Sequence, residues 1–239
     1  MAALHGLWLG VLSHDQLAEI DEAYYSAHRD YLDEGPARSG LKRWEHAALA
    51  AHFPTRGTLA VLGAGSGREV LALIERGFAV HGFECNPRLV DVGNRLLAKD
   101  GVDQRLLLAP RDGWPEDTGP YDGIIVGWGA YMHIKGRARR VDFLRQARRR
   151  LPAGCPLLVS FLYRSKDSQY FRFSARLGDA LAAVTRAEHV ELGDALLPMY
   201  VHYFTREQIE AELREGGFDM VAFDLTESAG YALAVGVAR

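Results

Sequence analysis

Residues 61–70 read VLGAGSGREV, with glycines at 63, 65 and 67 set between an apolar run of strand length and an amphipathic helix. No other segment restricts the fold as much. Gly63 and Gly65 can adopt backbone angles closed to other residues and let a ligand approach the main chain, with Ala64 held between them. Gly67 opens the helix, whose first N–H groups favour electron-rich partners. Taken alone, such a segment also reads as a tight strand-to-helix turn with no ligand. Glu84 sharpens the reading. It ends the next strand, about 20 residues further on, where a carboxylate accepts both ribose hydroxyls of a nucleoside. A dinucleotide fingerprint, G-x-G-x-x-G, needs its third glycine where Arg68 stands, which argues against a nicotinamide dinucleotide.

From Thr58 onward, strands and helices alternate. LAVLG, FAVHGFE, RLLLA, DGIIVGW and CPLLVSFL read as five strands. GREVLALIERG, NPRLVDVGNRLLAKDG and Arg137 to Leu151 read as helices between them, with Asn86 a good N-cap and Pro87 in the first turn. DGIIVGW is apolar throughout, as a strand covered on both faces should be. This rhythm predicts a parallel sheet with helices on both faces. Residues from about Asp15 to Phe53 read as helical, broken at Glu34-Gly35-Pro36. Residues 163–204 read as helix plus loop, placed where a substrate cover would sit. Thr205 caps a late helix, TREQIEAELREGG, and FDMVAFDL and YALAVGVA form a closing pair of strands. The expectation is one domain: a helical lid (1–57), a cofactor-binding core (58–162), a substrate-cover insertion (163–204) and a C-terminal helix with a strand pair (205–239).

Composition excludes several classes. A chain of 239 residues, 48% hydrophobic and 25% charged, is long enough for one full α/β core. The formal net charge of −3 gives no global attraction to nucleic acid or to an anionic membrane. Two cysteines, Cys85 and Cys155, make no disulfide framework and fit a cytoplasmic protein. The opening MAALHGLWLGVLSHD lacks the charge and cleavage features of a signal peptide, and no apolar run approaches the roughly 18 residues of a membrane helix.

These residues together resemble the class I S-adenosylmethionine-dependent methyltransferases, over about Thr58 to Arg239. LAVLGAGSGRE resembles the family's glycine motif, and Glu84 in GFECNP its ribose-binding acid. APRDGWPED resembles the adenine-side loop, with Asp112 placed for the adenine amino group. YDGIIVGWGAYMHI resembles the fourth-strand motif, and HYFTREQIEAELREGGFDMV the late helix and strand. The resemblance implies a Rossmann-like three-layer α/β sandwich with a seven-stranded, mostly parallel sheet and an N-terminal helical extension. It implies S-adenosyl-L-methionine as cofactor, leaving as S-adenosyl-L-homocysteine. The implied cofactor contacts are Gly63, Ala64, Gly65, Gly67, Glu84, Cys85, Asp112, Gly127 and Trp128. Val61 stands where the family often has an acid, which puts one contact near the methionine amino group in doubt. GWGAY at 127–131 differs from the Asn/Asp-Pro-Pro-Tyr/Phe of many nucleobase and glutamine N-methyltransferases, which disfavours those targets.

His133, just after the fourth strand, is the first candidate for a general base, and His202 in MYVHYF the second; a solvated loop histidine and a packed core histidine are the plain alternatives. Tyr131 and Tyr203 are candidates to orient an acceptor, or simply line the core. Tyr24, Tyr25, His28, Tyr31 and Trp44 lie on the N-terminal helices, as a lid or as packing. Arg164, Lys166, Arg172 and Arg176 lie beside Tyr170, Phe171 and Phe173, as an anion site or as an amphipathic helix. The run GRARRVDFLRQARRR reads as a solvated helix face on the stripe Val141, Leu144 and Leu151. The nine histidines show no metal-ligand spacing, so no metal is expected. The expected function is methyl transfer to oxygen or nitrogen of a small-molecule acceptor, without nucleic acid or membrane. Three alternatives stay open: an RNA or protein methyltransferase served by the arginine run, an NAD(P)-binding oxidoreductase, and a non-catalytic cofactor-binding domain.

Overall fold

Leu59 and Val61 alternate with Ala60 and Leu62 along one strand, and all four are buried, so both faces of that strand are covered. This two-sided burial organises the whole molecule. The structure, a computed structural model, describes residues 2–116, 118–166 and 168–239. Five helices come first: α1 (Ala2–Leu9), α2 (His14–Ala27), the short α3 (Arg29–Leu32) and α4 (Glu34–Ala37), and α5 (Arg43–His52). The alternating region follows as β1 (Thr58–Leu62), α6 (Arg68–Ile74), β2 (Ala79–Glu84), α7 (Pro87–Lys99), β3 (Leu106–Leu108), β4 (Gly123–Val126), α8 (Arg137–Arg149) and β5 (Pro156–Tyr163). The chain closes with α9 (Gln169–Thr185), β6 (Asp194–Leu196), β7 (Tyr200–Phe204), α10 (Arg206–Gly216), β8 (Phe218–Leu225) and β9 (Tyr231–Ala238).

β3, β2, β1, β4 and β5 run parallel in that order. β9 then pairs antiparallel with β5 from Pro156 to Leu162, and β8 pairs antiparallel with β9. The seven-stranded mostly parallel sheet is thus present. Leu59, Val61, Val80 and Ile125 pack under α5, α6 and α7, through Trp44, Val70, Leu96 and Leu97. Ala60, Leu62, Ile124 and Val126 pack on the opposite face, against Phe143 and Leu144 of α8 and Ile209 and Leu213 of α10. Local chemistry agrees with each start. Asn86 accepts N–H bonds from Arg88 and Leu89 at the head of α7, and Thr205 with Gln208 forms a reciprocal cap on α10.

Two expectations need correction. Residues 163–204 hold more than helix and loop: β6 and β7 form an antiparallel hairpin, and β7 adds in parallel to the end of β5 through Leu162–Tyr203 and Tyr163–Phe204. β4 reaches only as far as Leu157 and Leu158 of β5, so the remainder of that edge is free to take β7. The N-terminal segment is also broken elsewhere than expected: Glu34-Gly35-Pro36 lies inside α4, and extended His28 and Asp33 separate α2, α3 and α4. Among the described residues no helix is long and apolar enough to cross a membrane.

Candidate functional site

Strand order reverses between β1 and β4, and at such a point the loops leaving the carboxyl ends diverge and open a crevice. The glycine turn leaves β1 there. Gly63 has φ +64°, and a Cβ on it would lie 2.4 Å from the Cβ of Ala130. Gly65 has φ +55°, and a Cβ on it would meet nothing within 4 Å, because its α-carbon borders open space. That space is a cavity of about 150 Å³, open to solvent. Gly63 and Gly65, Glu84 and Cys85 after β2, the loop 109–113 after β3, and Val126, Trp128 and Ala130 after β4 all line it. Ala64 and Gly67 shape the turn from behind: Ala64 is buried, and its N–H donates to the Phe83 carbonyl at 3.0 Å. Gly127 donates to the Leu62 carbonyl at 2.7 Å and likewise supports the wall.

Glu84 is 6% exposed, and its carboxylate is pinned on both sides. Oε2 accepts the Gly65 N–H at 2.8 Å and Oε1 accepts the Asn86 N–H at 2.9 Å. One side chain therefore fixes the glycine turn and the start of α7 together. Burial, and then the neighbouring Glu84, pushes the Cys85 thiol up to about 12, so Cys85 offers the cavity a neutral wall. Asp112 sits at φ +57°, and burial raises its carboxyl above the usual range. Its Oδ2 has His14 Nε2 at 3.4 Å but makes no hydrogen bond. Trp128 is held between the Lys42 ammonium, 3.7 Å from the ring centroid, and the Tyr231 ring at 5.3 Å.

The roof of the cavity comes from the N-terminal helices. Asp21 and Tyr25, one turn apart on α2, and Tyr31 on α3 line it. Asp21 pairs with Arg111 at 2.6 Å through Oδ2, while its buried Oδ1 makes no hydrogen bond. Asn86 donates to Ser26 Oγ at 3.0 Å and to the Glu22 carbonyl at 3.2 Å, fastening α2 to α7. Sequence reasoning named Tyr25 and Tyr31 only as lid residues and missed Asp21. The available signal was Leu17, Asp21 and Tyr25 at i, i+4 and i+8, an acid on the inward stripe of a helix.

Of the three catalytic candidates, His133 alone borders the cavity. Its Nε2 lies 2.9 Å from the Tyr25 hydroxyl and its Nδ1 2.8 Å from the Tyr200 carbonyl oxygen. Tyr131 and His202 are each fully buried away from it. Tyr131 donates to Glu212 at 2.7 Å and packs on Phe204. His202 Nδ1 lies 2.7 Å from Asp194 Oδ1, which also accepts the Tyr200 hydroxyl at 2.7 Å. Both are packing groups away from the cavity, with the buried Nε2 of His202 making no hydrogen bond, which corrects their assignment as catalytic candidates. Glu191, Asp194 and His202 place ligand-type atoms within 4.8 Å of one another. The guanidinium of Arg140 already holds Glu191 at 2.6 Å, and Asp194 Oδ1 already receives two donors, so both carboxylates there have partners within the protein.

The basic segments also resolve. Arg137 pairs with Glu215, Arg139 with Glu188, and Arg140 with Glu191 and Glu212. Arg140 is 1% exposed, so the α8 face expected to be solvated in fact turns one arginine into the core. Arg164 is buried and donates to the Tyr203 and Leu192 carbonyls and to Gln208. No described residue from 163 to 204 lines the main cavity, and α9 packs instead on α1, where Gly6 and Gly10 meet the backbone of Ser174 and Gly178.

The donor set fits a nucleoside. Asp112 and Asp21 line the cavity and each keeps one buried carboxylate oxygen without a hydrogen bond, Glu84 offers an anchored carboxylate, and the open α-carbon of Gly65 lets a ligand lie against main chain. No protein-family model and no curated protein sequence matches the chain. Solved structures do. A SAM-dependent methyltransferase from Methanosarcina mazei is 15% identical, covering 83% of this chain and 98% of its own, with a TM-score of 0.64. The CcbJ methyltransferase from Streptomyces caelestis is 18% identical over 92% of this chain and 100% of its own, with a TM-score of 0.64. The 1,6-didemethyltoxoflavin-N1-methyltransferase of Burkholderia thailandensis, solved with bound 1,6-didemethyltoxoflavin and S-adenosylhomocysteine, is 16% identical over 95% of this chain and 91% of its own, with a TM-score of 0.66. The chain has the class I S-adenosylmethionine-dependent methyltransferase fold.

Proposed function

We propose that the chain transfers the methyl group of S-adenosylmethionine to oxygen or nitrogen of a small-molecule acceptor. The observation that carries the reading is the Glu84 carboxylate, fixed beside the open Gly65 turn in a cavity that Asp21 and Asp112 also line. In this reading Glu84 takes the ribose hydroxyls, Asp112 the adenine amino group, and the main chain of the turn lies against the amino-acid portion, with Cys85 and Trp128 as walls. Bound S-adenosylmethionine supplies a methyl group already activated on a sulfonium. The protein's task is then orientation, which contributes up to roughly 7–11 kcal/mol in favourable systems. A small acceptor is favoured because α2 and Tyr31 roof the cavity, and because Arg137, Arg139 and Arg140 of the basic helix are committed to acidic partners within the chain.

Titration calorimetry with S-adenosylmethionine, S-adenosylhomocysteine and NAD tests this directly. The first two are expected to bind. At a hundredfold excess over its dissociation constant, S-adenosylhomocysteine should stabilise the fold by about 2.7 kcal/mol, read as a rise in unfolding temperature. Binding of NAD with no response to S-adenosylhomocysteine rejects the proposal in favour of an oxidoreductase.

A further inference from the structure

We propose that the accepting group is a hydroxyl on an aromatic ring, and that its proton leaves through the Tyr25 hydroxyl to Nε2 of His133. The inference rests on the methyltransferase reading above and names the acceptor class and the proton route within it. The geometry fixes the tautomer. Nδ1 of His133 faces the Tyr200 carbonyl at 2.8 Å, and a carbonyl only accepts, so Nδ1 carries a proton. The neutral imidazole then has its lone pair on Nε2, which accepts the Tyr25 O–H at 2.9 Å. Both ring nitrogens are thereby engaged, and His133 meets an acceptor only through Tyr25.

Tyr25 does not act as a phenolate. Burial, followed by the nearby Tyr31 and Asp21, holds its pKa far above the ordinary tyrosine value. The hydroxyl instead takes one proton as it passes its own along. As the acceptor oxygen bonds the methyl carbon, the carbon–sulfur bond breaks and its electron pair stays on sulfur. The acceptor's proton moves to Tyr25 Oη and the Tyr25 proton to His133 Nε2. One positive charge is lost at sulfur and one appears on the imidazole. Asp21 Oδ1, without a hydrogen bond and 3.9 Å from Nδ1, faces that imidazolium. His14, Arg111, Asp112 and Lys135 complete the charged surroundings through the small adjoining pocket.

Two features select the acceptor. A base is needed only when the nucleophile must lose a proton to react, which describes a hydroxyl better than an amine with a free lone pair. The rings of Tyr25 and Tyr31, 4.7 Å apart, share the cavity wall with Trp128, Phe83 and Phe143, so the space beside the relay is bounded by aromatic surface.

The test uses the full chain saturated with S-adenosylhomocysteine and 4-nitrophenol as the probe, read by the absorbance of its phenolate. Calorimetry first establishes S-adenosylhomocysteine binding for the wild type, Tyr25→Phe and His133→Gln. Failure there overturns the methyltransferase reading and this inference with it. With binding established, the wild-type complex is expected to show bound phenolate at a pH below the free probe's own titration, and both variants are expected to lose it. A phenolate band unchanged in Tyr25→Phe, or no binding of the probe to the loaded wild type, overturns the relay while leaving the methyltransferase reading standing.

Discussion

Replacing Glu84 by alanine is expected to weaken S-adenosylhomocysteine binding by about 10- to 150-fold and to destabilise the fold at the same time. The affinity loss corresponds to the worth of one hydrogen bond to an ionised group, about 1.5–3 kcal/mol, at about 1.4 kcal/mol per factor of ten, the remaining hydroxyl turning to water. The stability loss has a separate origin. The Glu84 carboxylate also accepts the N–H groups of Gly65 and Asn86, and truncation leaves both donors without their acceptor. Glu84→Gln separates the effects: its single amide oxygen serves only one of the two N–H groups, and its charge is gone. Calorimetry and thermal unfolding on the three proteins provide the comparison. Unchanged affinity in Glu84→Ala removes this residue from the site.

The largest loss of stability is expected from Arg140→Met. Arg140 is 1% exposed, and its guanidinium donates to Glu212 through Nε and Nη2, to Glu191 at 2.6 Å and to the Ile134 carbonyl. Glu212 is itself 2% exposed and also receives the Tyr131 hydroxyl. Removing the cation leaves a buried carboxylate uncompensated, at a cost of about 3–5 kcal/mol. For a chain of this size that corresponds to a fall of about 6–20 °C in unfolding temperature. Removing both charges, as Arg140→Met with Glu212→Met, is expected to recover much of the loss, because the stranded charge is then absent. A double variant no more stable than the single one contradicts this account.

The arginine case shows what the sequence could and could not reveal. β1, β4 and the helices around them were legible because unbroken apolar runs of strand length alternated with period-3.6 apolar patterns, and the glycines and Asn86 marked the turns. Arg140 was not, because a charge run on a helix says nothing about which member finds two buried acids more than fifty residues away. His133 and Tyr131 are two residues apart in one 3₁₀ turn, and only the direction of that turn sends one to the cavity and the other to Glu212. β6 was hidden by its length of three residues. Asp21 lies on the inward stripe that Leu17 and Tyr25 mark, but its pairing was not legible, because Arg111, its partner across the cavity wall, is 90 residues away.

Asn86 joins two jobs that are usually apart. Its backbone N–H steadies Glu84 while its side chain carries Ser26 and the Glu22 carbonyl of α2. The ceiling over the crevice thus hangs by a short polar strut from the group that steadies the floor. Grafting a foreign α2 onto this scaffold to alter what is methylated would cut that strut unless a hydroxyl were retained at position 26. The damage would then reach the nucleoside end, far from the part being redesigned.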